Sequence, residues 1–425
     1  MSAEILIPTV DDIRAAAERI RGHVVRTPLV RAPKLAAITG AASVHLKLEN
    51  QQFTGSFKDR GAFNKLKSLT PEEAARGVIA MSAGNHAQGV AYHAQSLGIP
   101  ATIVMPKGTP FTKIERTASF GAKIELQGDT IDAAAVYARQ LAEHQNLVFV
   151  HPYDDPMIVA GQGTIGLEIL EDLDDFDTLV APIGGGGLIS GISIAIKAAK
   201  PAVEVFGIEA DLYPSMHHAV KGLSPDNRGQ TIADGIAVKS PGRLTRAIIE
   251  RHVSDLLLAA EDQLENAVHI LVERQSLVAE GAGAASLAAL LTEPKRFAGR
   301  KVVLLISGGN IDSRLLAQVL MRGLIRDGRV VTLRIEISDQ PGVLGHLARL
   351  IGATGGNIIE IYHQRMFFDL PVKRADVDAV VETRNPTHVE QIIAALEADG
   401  FPTRRLSSHS GERQSGKALT GEKSL

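Results

Sequence analysis

The chain has 425 residues, 45% hydrophobic and 22% charged, with 40 Gly and neither Cys nor Trp, ordinary globular usage for roughly two or three domains. Forty-five Lys and Arg against 48 Asp and Glu leave a formal charge of -3, so nothing electrostatic points to nucleic acid or an anionic membrane. The lack of Cys removes disulfides, thiolate nucleophiles and cysteine-ligated metals, and with no basic-then-apolar leader and no spanning apolar run the expectation is a cytoplasmic protein, not a membrane one.

In chain order, the segment up to about residue 325 alternates short aliphatic runs with Ala-rich stretches, the pattern of parallel strands joined by crossover helices, an α/β fold. Strands are predicted at 77–81, 101–105, 123–126, 147–150, 178–182, 204–209 and 301–306, and helices at 85–97, 113–120, 131–144, 188–199 and 261–278. Most of these strands are near-continuous apolar runs, as buried parallel strands require. Past residue 328 the texture changes: RVVTLRIEI alternates, SDQPGV leads into the helical LGHLARLIGATGG, and NIIEIYHQR follows. A strand at 375–381, an amphipathic helix at 386–398 and a weak strand at 401–406 complete a βαββαβ count, so a separate small α+β module is expected. Residues 407–425 are polar with little to bury, and disorder is predicted there.

Four turns carry chemistry. In FTGSFKDRGA, Lys58 stands between aromatic and polar neighbours, ahead of a helix predicted to begin near Ala62. Partial desolvation there lowers a lysine pKa and makes the amine a nucleophile for an aldehyde; a surface lysine at a helix start reads the same. The strand at 77–81 runs into Ser82-Ala83-Gly84-Asn85-His86, whose backbone N–H groups at a helix start suit a carboxylate or phosphate, or merely cap a turn. The strand at 178–182 runs into Gly184, Gly185, Gly186, Gly187 and Leu188. Four glycines in a row lose conformational entropy and pack nothing, so close approach of backbone to an anion is the natural compensation. The spacing is neither the dinucleotide fingerprint nor a P-loop. The last strand ends in Ser307-Gly308-Gly309-Asn310, where a hydroxyl can hydrogen-bond a ring nitrogen without protonating it. A reactive lysine, a phosphate cradle, an anion-binding turn and a strand-end hydroxyl together describe a pyridoxal phosphate site.

On these motifs the chain resembles the fold-type II pyridoxal phosphate enzymes, and among them the threonine dehydratases (threonine ammonia-lyases) bearing one C-terminal ACT domain. TGSFKDRGA, SAGNHAQGVA, GGGGL and SGGN occur in the family's order, and the resemblance runs over about residues 10–405. It implies a catalytic domain over 1–327 of two open α/β subdomains with parallel-rich sheets, the smaller at about 48–155 inserted in the larger, and an ACT-like regulatory domain over 328–406. It implies pyridoxal 5'-phosphate as cofactor. Lys58 would hold its aldehyde, Phe57 pack near the ring and Asn85 hydrogen-bond the ring hydroxyl. Gly184, Gly185, Gly186, Gly187 and Leu188 would bind the phosphate, Ser307 would meet the pyridine nitrogen, and Glu280 would lie near the cofactor face. Ser82, Ala83, Gly84, Asn85 and His86 would hold the substrate carboxylate, with Lys58 as base and Ser82 either a second-face base or a capping group.

The implied reaction is β-elimination of L-threonine to 2-oxobutanoate and ammonia, with L-serine giving pyruvate. Threonine synthesis from phosphohomoserine, serine racemisation and hydroxyaspartate dehydration are the alternatives on the same scaffold, the first because SFKDRG with Asp59 is also typical of threonine synthases. The family's cation site near Glu209 lacks its second acidic ligand in Ala210-Asp211-Leu212-Tyr213-Pro214, so no metal is expected. In the module, Asp339, Gln340, Gly342 and Asn357 are candidate contacts for an amino-acid effector, isoleucine with valine as antagonist, unless the module only dimerises. A homodimer or homotetramer is implied.

Overall fold

Most of the apolar runs read as buried strands are strands in a computed structural model of the chain, which describes residues 6–364 and 374–406. The strands are β1 (Leu29–Arg31), β2 (Ser43–Lys47), β3 (Val78–Met81), β4 (Ala101–Met105), β5 (Lys123–Leu126), β6 (Val148–Phe149), β7 (Thr178–Pro182), β8 (Glu204–Ala210), β9 (Asp255–Ala259), β10 (Lys301–Leu305), β11 (Val330–Ser338), β12 (Asn357–Gln364), β13 (Arg374–Glu382) and β14 (Thr403–Arg405). The chain separates into two compact units, the first ending at Leu315 and the second beginning at Leu316.

The first unit holds two sheets. One has the order β1-β2-β10-β7-β8-β9, parallel except for β1; the other, β5-β4-β3-β6, is parallel throughout. Every residue of β7 is buried, as a central parallel strand covered on both faces must be. Ile183, Leu188, Ile192 and Val205 pack into the core around it, each fully buried aliphatic chain contributing about 1.5–3 kcal/mol. The strands end at Met81, Pro182 and Leu305, so the three turns that follow are strand C-terminal turns, where open α/β sheets place ligands.

Several elements escaped the pattern. The short strands β1, β2 and β9, and the helices Val10–Ile20, Pro156–Asp172 and Arg243–His252, were not anticipated. The helix expected to begin near Ala62 begins at Lys58 instead, because Phe57 is already in the αR region and Ser56 is bridged to Gly308 across the site. Pro156–Asp172 contains Gly161, Gly163 and Gly166, poor helix formers that serve here as close-approach positions. A Cβ on Gly161 would lie 2.7 Å from Gly61 Cα in the Lys58–Lys67 helix, and one on Gly163 would lie 2.9 Å from Gly191 O in the Gly187–Ala199 helix. One buried helix thus carries the lysine helix and the tetraglycine helix by backbone contact.

In the second unit, strands in the order β12-β13-β11-β14, all antiparallel, carry the helices Val343–Ala353 and Pro386–Ala398, a βαββαβ arrangement. Val331, Leu333, Ile335 and Ile337 of β11 face a core with Leu347, Ile351 and Ile392 from the helices. On the other face Arg334 grips Asp378 with two hydrogen bonds of 2.7 and 2.6 Å. The disorder predicted for 407–425 falls outside the described residues. No described helix is long and apolar enough to cross a membrane.

Candidate active site

Lys58 opens its helix half-buried, with Nζ donating to Pro152 O at 2.7 Å and lying 5.0 Å from the centre of the Phe57 ring. Burial pushes its pKa down to about 8, against the opposing pull of the Glu280 charge. Phe57 is fixed from behind: its N–H donates to Ser307 O at 3.0 Å, and its ring packs on the core that contains Ile183 and Leu188. The first and last of the four turns are therefore tied together by backbone.

Beneath the lysine lies an ionic cluster that local reading missed. Arg60 has no exposed surface; its Nε and one terminal nitrogen donate to Glu49 at 2.8 and 2.7 Å, and both terminal nitrogens donate to Glu168 at 2.6 and 2.9 Å. Lys47 adds a bond to Glu168 at 2.6 Å, and the Thr27 hydroxyl donates to Glu49 at 2.6 Å. Burial alone would raise the Glu49 pKa, yet Arg60 holds it below its ordinary value. Asp59, between Lys58 and Arg60, is also fully buried and accepts from both the N–H and the hydroxyl of Thr54.

The tetraglycine turn is built as a cradle. Gly186 takes the left-handed conformation at φ 93° and caps the 13-residue helix Gly187–Ala199. A Cβ on Gly185 would overlap the Tyr153 ring, and one on Gly187 would lie 2.9 Å from Tyr153 O. Gly185 O accepts from the Thr245 hydroxyl at 2.6 Å, but the N–H groups from Gly184 to Leu188 meet no acceptor among the described residues. Four of these five residues are buried, and buried backbone donors without a partner are rare unless a ligand supplies one. Tyr153, which no motif signalled, directly follows the Pro152 that accepts from Lys58, so lysine and cradle share one segment. Its hydroxyl donates to Ser240 O at 2.9 Å.

The second turn starts the helix Asn85–Leu97, whose first two N–H groups, Asn85 and His86, have no acceptor among the described residues. Ser82 Oγ accepts from Gly84 N–H at 3.1 Å, a local turn bond. The His86 ring sits 3.0 Å from Val150 O, and burial, reinforced by the Lys58 charge, lowers its pKa to about 3. A carbonyl only accepts, so Nε2 carries the proton and Nδ1 a lone pair. The ring is thus no donor for a carboxylate, and the backbone N–H of His86 is the group free to serve. Ala83 and Gly84 line this turn without side-chain hydrogen bonds of their own.

Asn85 donates through Nδ2 to Glu280 Oε1 at 2.6 Å and accepts from Asn310 Nδ2 at 2.8 Å. Glu280, only 6% exposed, precedes the helix Gly281–Thr292; burial, together with the Asp234 charge, pushes its pKa up to about 7. The Ser307 hydroxyl makes one long bond of 3.4 Å to Ala282 O and is otherwise available. Glu209 stands apart. Its two carboxylate oxygens accept from the N–H groups of Met216 and His217 at 2.8 and 2.7 Å, and burial raises its pKa to about 8.

In the second unit, Asp339, Gln340 and Gly342 line a cleft of about 410 Å³ with Ile337, Leu344 and His363. Asn357 is not among its lining residues; it donates to Glu382 at 3.1 Å.

Known proteins share both sequence and fold with this chain. A family model described as pyridoxal-phosphate dependent enzyme matches residues 20–308. The L-threonine ammonia-lyase of Thermotoga maritima is 44% identical over 93% of this chain and 99% of its own length. Among solved structures, the processed form of threonine deaminase isoform 2 from Solanum lycopersicum is 34% identical with a TM-score of 0.68, covering 76% of this chain and 92% of its own. Serine racemase from Dictyostelium discoideum is 33% identical with a TM-score of 0.67, covering 72% of this chain and 99% of its own.

Proposed function

Because the chain belongs to the pyridoxal-phosphate dependent enzymes, among the threonine ammonia-lyases, we propose that it deaminates L-threonine to 2-oxobutanoate by β-elimination and acts also on L-serine. The observation that carries this reading is the run of acceptor-less N–H groups from Gly184 to Leu188, joined through Pro152 and Tyr153 to a half-buried Lys58.

These residues fit pyridoxal phosphate. The bare glycine backbone at a helix N-terminus suits its dianion, the Ser307 hydroxyl suits its ring nitrogen, Asn85 its ring oxygen, the Phe57 ring its edge, and Lys58 its aldehyde. When bound, the cofactor supplies a sink for the electron pair left at the substrate Cα. The chain's own groups do the rest. With a pKa of about 8, Lys58 Nζ is neutral in a useful fraction near neutrality and can take the Cα proton. The N–H groups of Asn85 and His86, at the positive end of their helix, hold the substrate carboxylate. The Ser307 hydroxyl would donate to an unprotonated ring nitrogen and, unlike a carboxylate, would not stabilise its protonated form, which favours elimination over transamination. The Ser82 hydroxyl, already accepting from Gly84, serves as the cap of the turn.

Fold alone does not separate lyase from racemase, since both kinds of structure match about equally well; the full-length relative favours the lyase. Asp59, the residue shared with threonine synthases, is engaged by Thr54, which gives it a structural reason to be present. Absorbance of the purified protein with pyridoxal phosphate, then L-threonine with assay of 2-oxobutanoate and ammonia, tests the reading. A visible band and equal amounts of both products are expected, and Lys58→Ala should remove both. A variant that keeps band and turnover would sink the assignment, and a band without keto acid would shift it to racemase or synthase chemistry.

The cleft at the SDQPGV turn supports regulation by an amino acid through an ACT-like module, isoleucine being the favoured effector and valine its antagonist. Asp339→Ala should abolish the isoleucine response; an unchanged response would remove the cleft from consideration. The working particle is proposed to be a cytoplasmic homodimer or homotetramer in isoleucine biosynthesis.

A further inference from the structure

Asn310 closes the turn after β10 and has no part in the roles assigned above. Its amide nitrogen donates to Thr54 O at 2.7 Å and to Asn85 Oδ1 at 2.8 Å, while its oxygen accepts from an Arg116 terminal nitrogen at 3.3 Å. A backbone carbonyl can only accept, so Thr54 O fixes which end of the Asn310 amide is nitrogen. Asn310 then fixes Asn85: the donor facing Asn85 must meet its oxygen, which leaves the Asn85 nitrogen against Glu280 Oε1 at 2.6 Å. Turning the Asn85 amide over would set two amide nitrogens against each other on one side and a carbonyl against a carboxyl on the other. Thr54 is itself immobilised by the buried Asp59, which accepts from its N–H at 3.1 Å and from its hydroxyl. The second N–H of the Asn85 amide has no acceptor among the described residues. Asn85 also lies near the reactive amine, because its partner Glu280 and Lys58 feel one another's charge.

We propose that Asn310 is a positioning residue that reads the polarity of the Thr54 carbonyl and passes it to Asn85, so that Asn85 always offers an N–H, and not its oxygen, to the cofactor. The inference rests on the reading of Asn85 as a contact of the cofactor's ring oxygen. An N–H there favours the ring oxygen as an anion, whereas a carbonyl would require it to stay protonated. Loss of the orientation therefore appears in cofactor affinity and in the pH response of the cofactor's absorbance, which a purely structural role would leave in place.

Asn310→Asp is close to isosteric but offers only acceptors to Thr54 O and Asn85 when ionised, so it favours the overturned amide. Apoprotein is titrated with pyridoxal phosphate by equilibrium dialysis, the pH midpoint of the bound cofactor's absorbance is recorded, and apoprotein unfolding is followed in parallel. Asn310→Asp is expected to weaken cofactor binding at least tenfold and to displace the pH midpoint. Asn310→Ala is expected to weaken binding less, and it carries the test if the Asp variant does not fold. In an Asn85→Ala background, with no amide left to orient, either substitution should change affinity less than twofold. If wild type binds the cofactor and the folded Asn310 variants bind it equally, or lose the same affinity without Asn85, the inference is overturned alone. A wild-type chain that binds no cofactor overturns the functional reading and this inference with it.

Discussion

On one side of Lys58 the charges are packed to closure; on the other they are left adjustable. Arg60 meets both oxygens of two carboxylates through both edges of its guanidinium, and Lys47 and Thr27 each donate to one of those same oxygens. Glu280, almost as buried, has a neutral amide as its direct partner and is poised near neutrality. The contrast separates two uses of buried charge. A carboxylate gripped by a cation stays ionised and fixes the frame, whereas one gripped by an amide keeps a proton within reach and can answer to what binds beside it.

The sharpest way to break the comparison is to open the closed side. Arg60→Met should leave Glu49 buried without its cation and lower the unfolding free energy by about 3–5 kcal/mol, read from urea denaturation; a loss under about 1 kcal/mol would show that the cluster is no closed frame. Gly185→Ala should press on the Tyr153 ring and cost about 1–3 kcal/mol, together with most of the cofactor affinity. Retained affinity in a titration would mean that the cradle tolerates a side chain.

A subtler test addresses the adjustable side. The Glu280 pKa stands at about 7 against an ordinary 4.5. Between those values the unfolded chain gives up a proton that the folded apoprotein keeps, so this group lowers stability as pH rises through the window. Glu280→Gln should erase that slope: the stability of wild type relative to the variant should fall from pH 4.5 to 7, and a flat difference would place Glu280 among the fixed charges. The smallest effect belongs to a surface pair in the second unit. His346 and Asp399 approach to 2.5 Å but are 44% and 41% exposed, so Asp399→Ala should alter stability by only about 0.2–1 kcal/mol, as calorimetry can check.

The parts of the site that were legible in sequence are local. A strand that runs into SAGNH, GGGGL or SGGN announces its turn within a few residues, and Lys58 was visible for the same reason. What sequence could not announce is held across long separations: Arg60 meets Glu168 108 positions on, and Asn310 meets Asn85 across 225. Arg60 reads as a surface cation until both its carboxylates are found. Tyr153 has no local signal because its role is to lie on a glycine elsewhere in the chain. The helix Pro156–Asp172 went unassigned for the opposite reason: the glycines of GQGTIG are poor helix formers, and they are there so that neighbouring backbones can touch.

That helix also sets a rule for how the protein can vary. Gly161 meets the lysine helix and Gly163 meets the tetraglycine helix, and residues two apart on an α-helix point about 200° from each other at nearly the same height. The segment is a spacer with a partner on each flank. One inserted residue between the two glycines would swing one flank by about 100° and slide it by about 1.5 Å. Length changes in descendants of this chain should therefore collect in surface loops and stay out of this stretch, whose residue count sets the register between lysine and cradle.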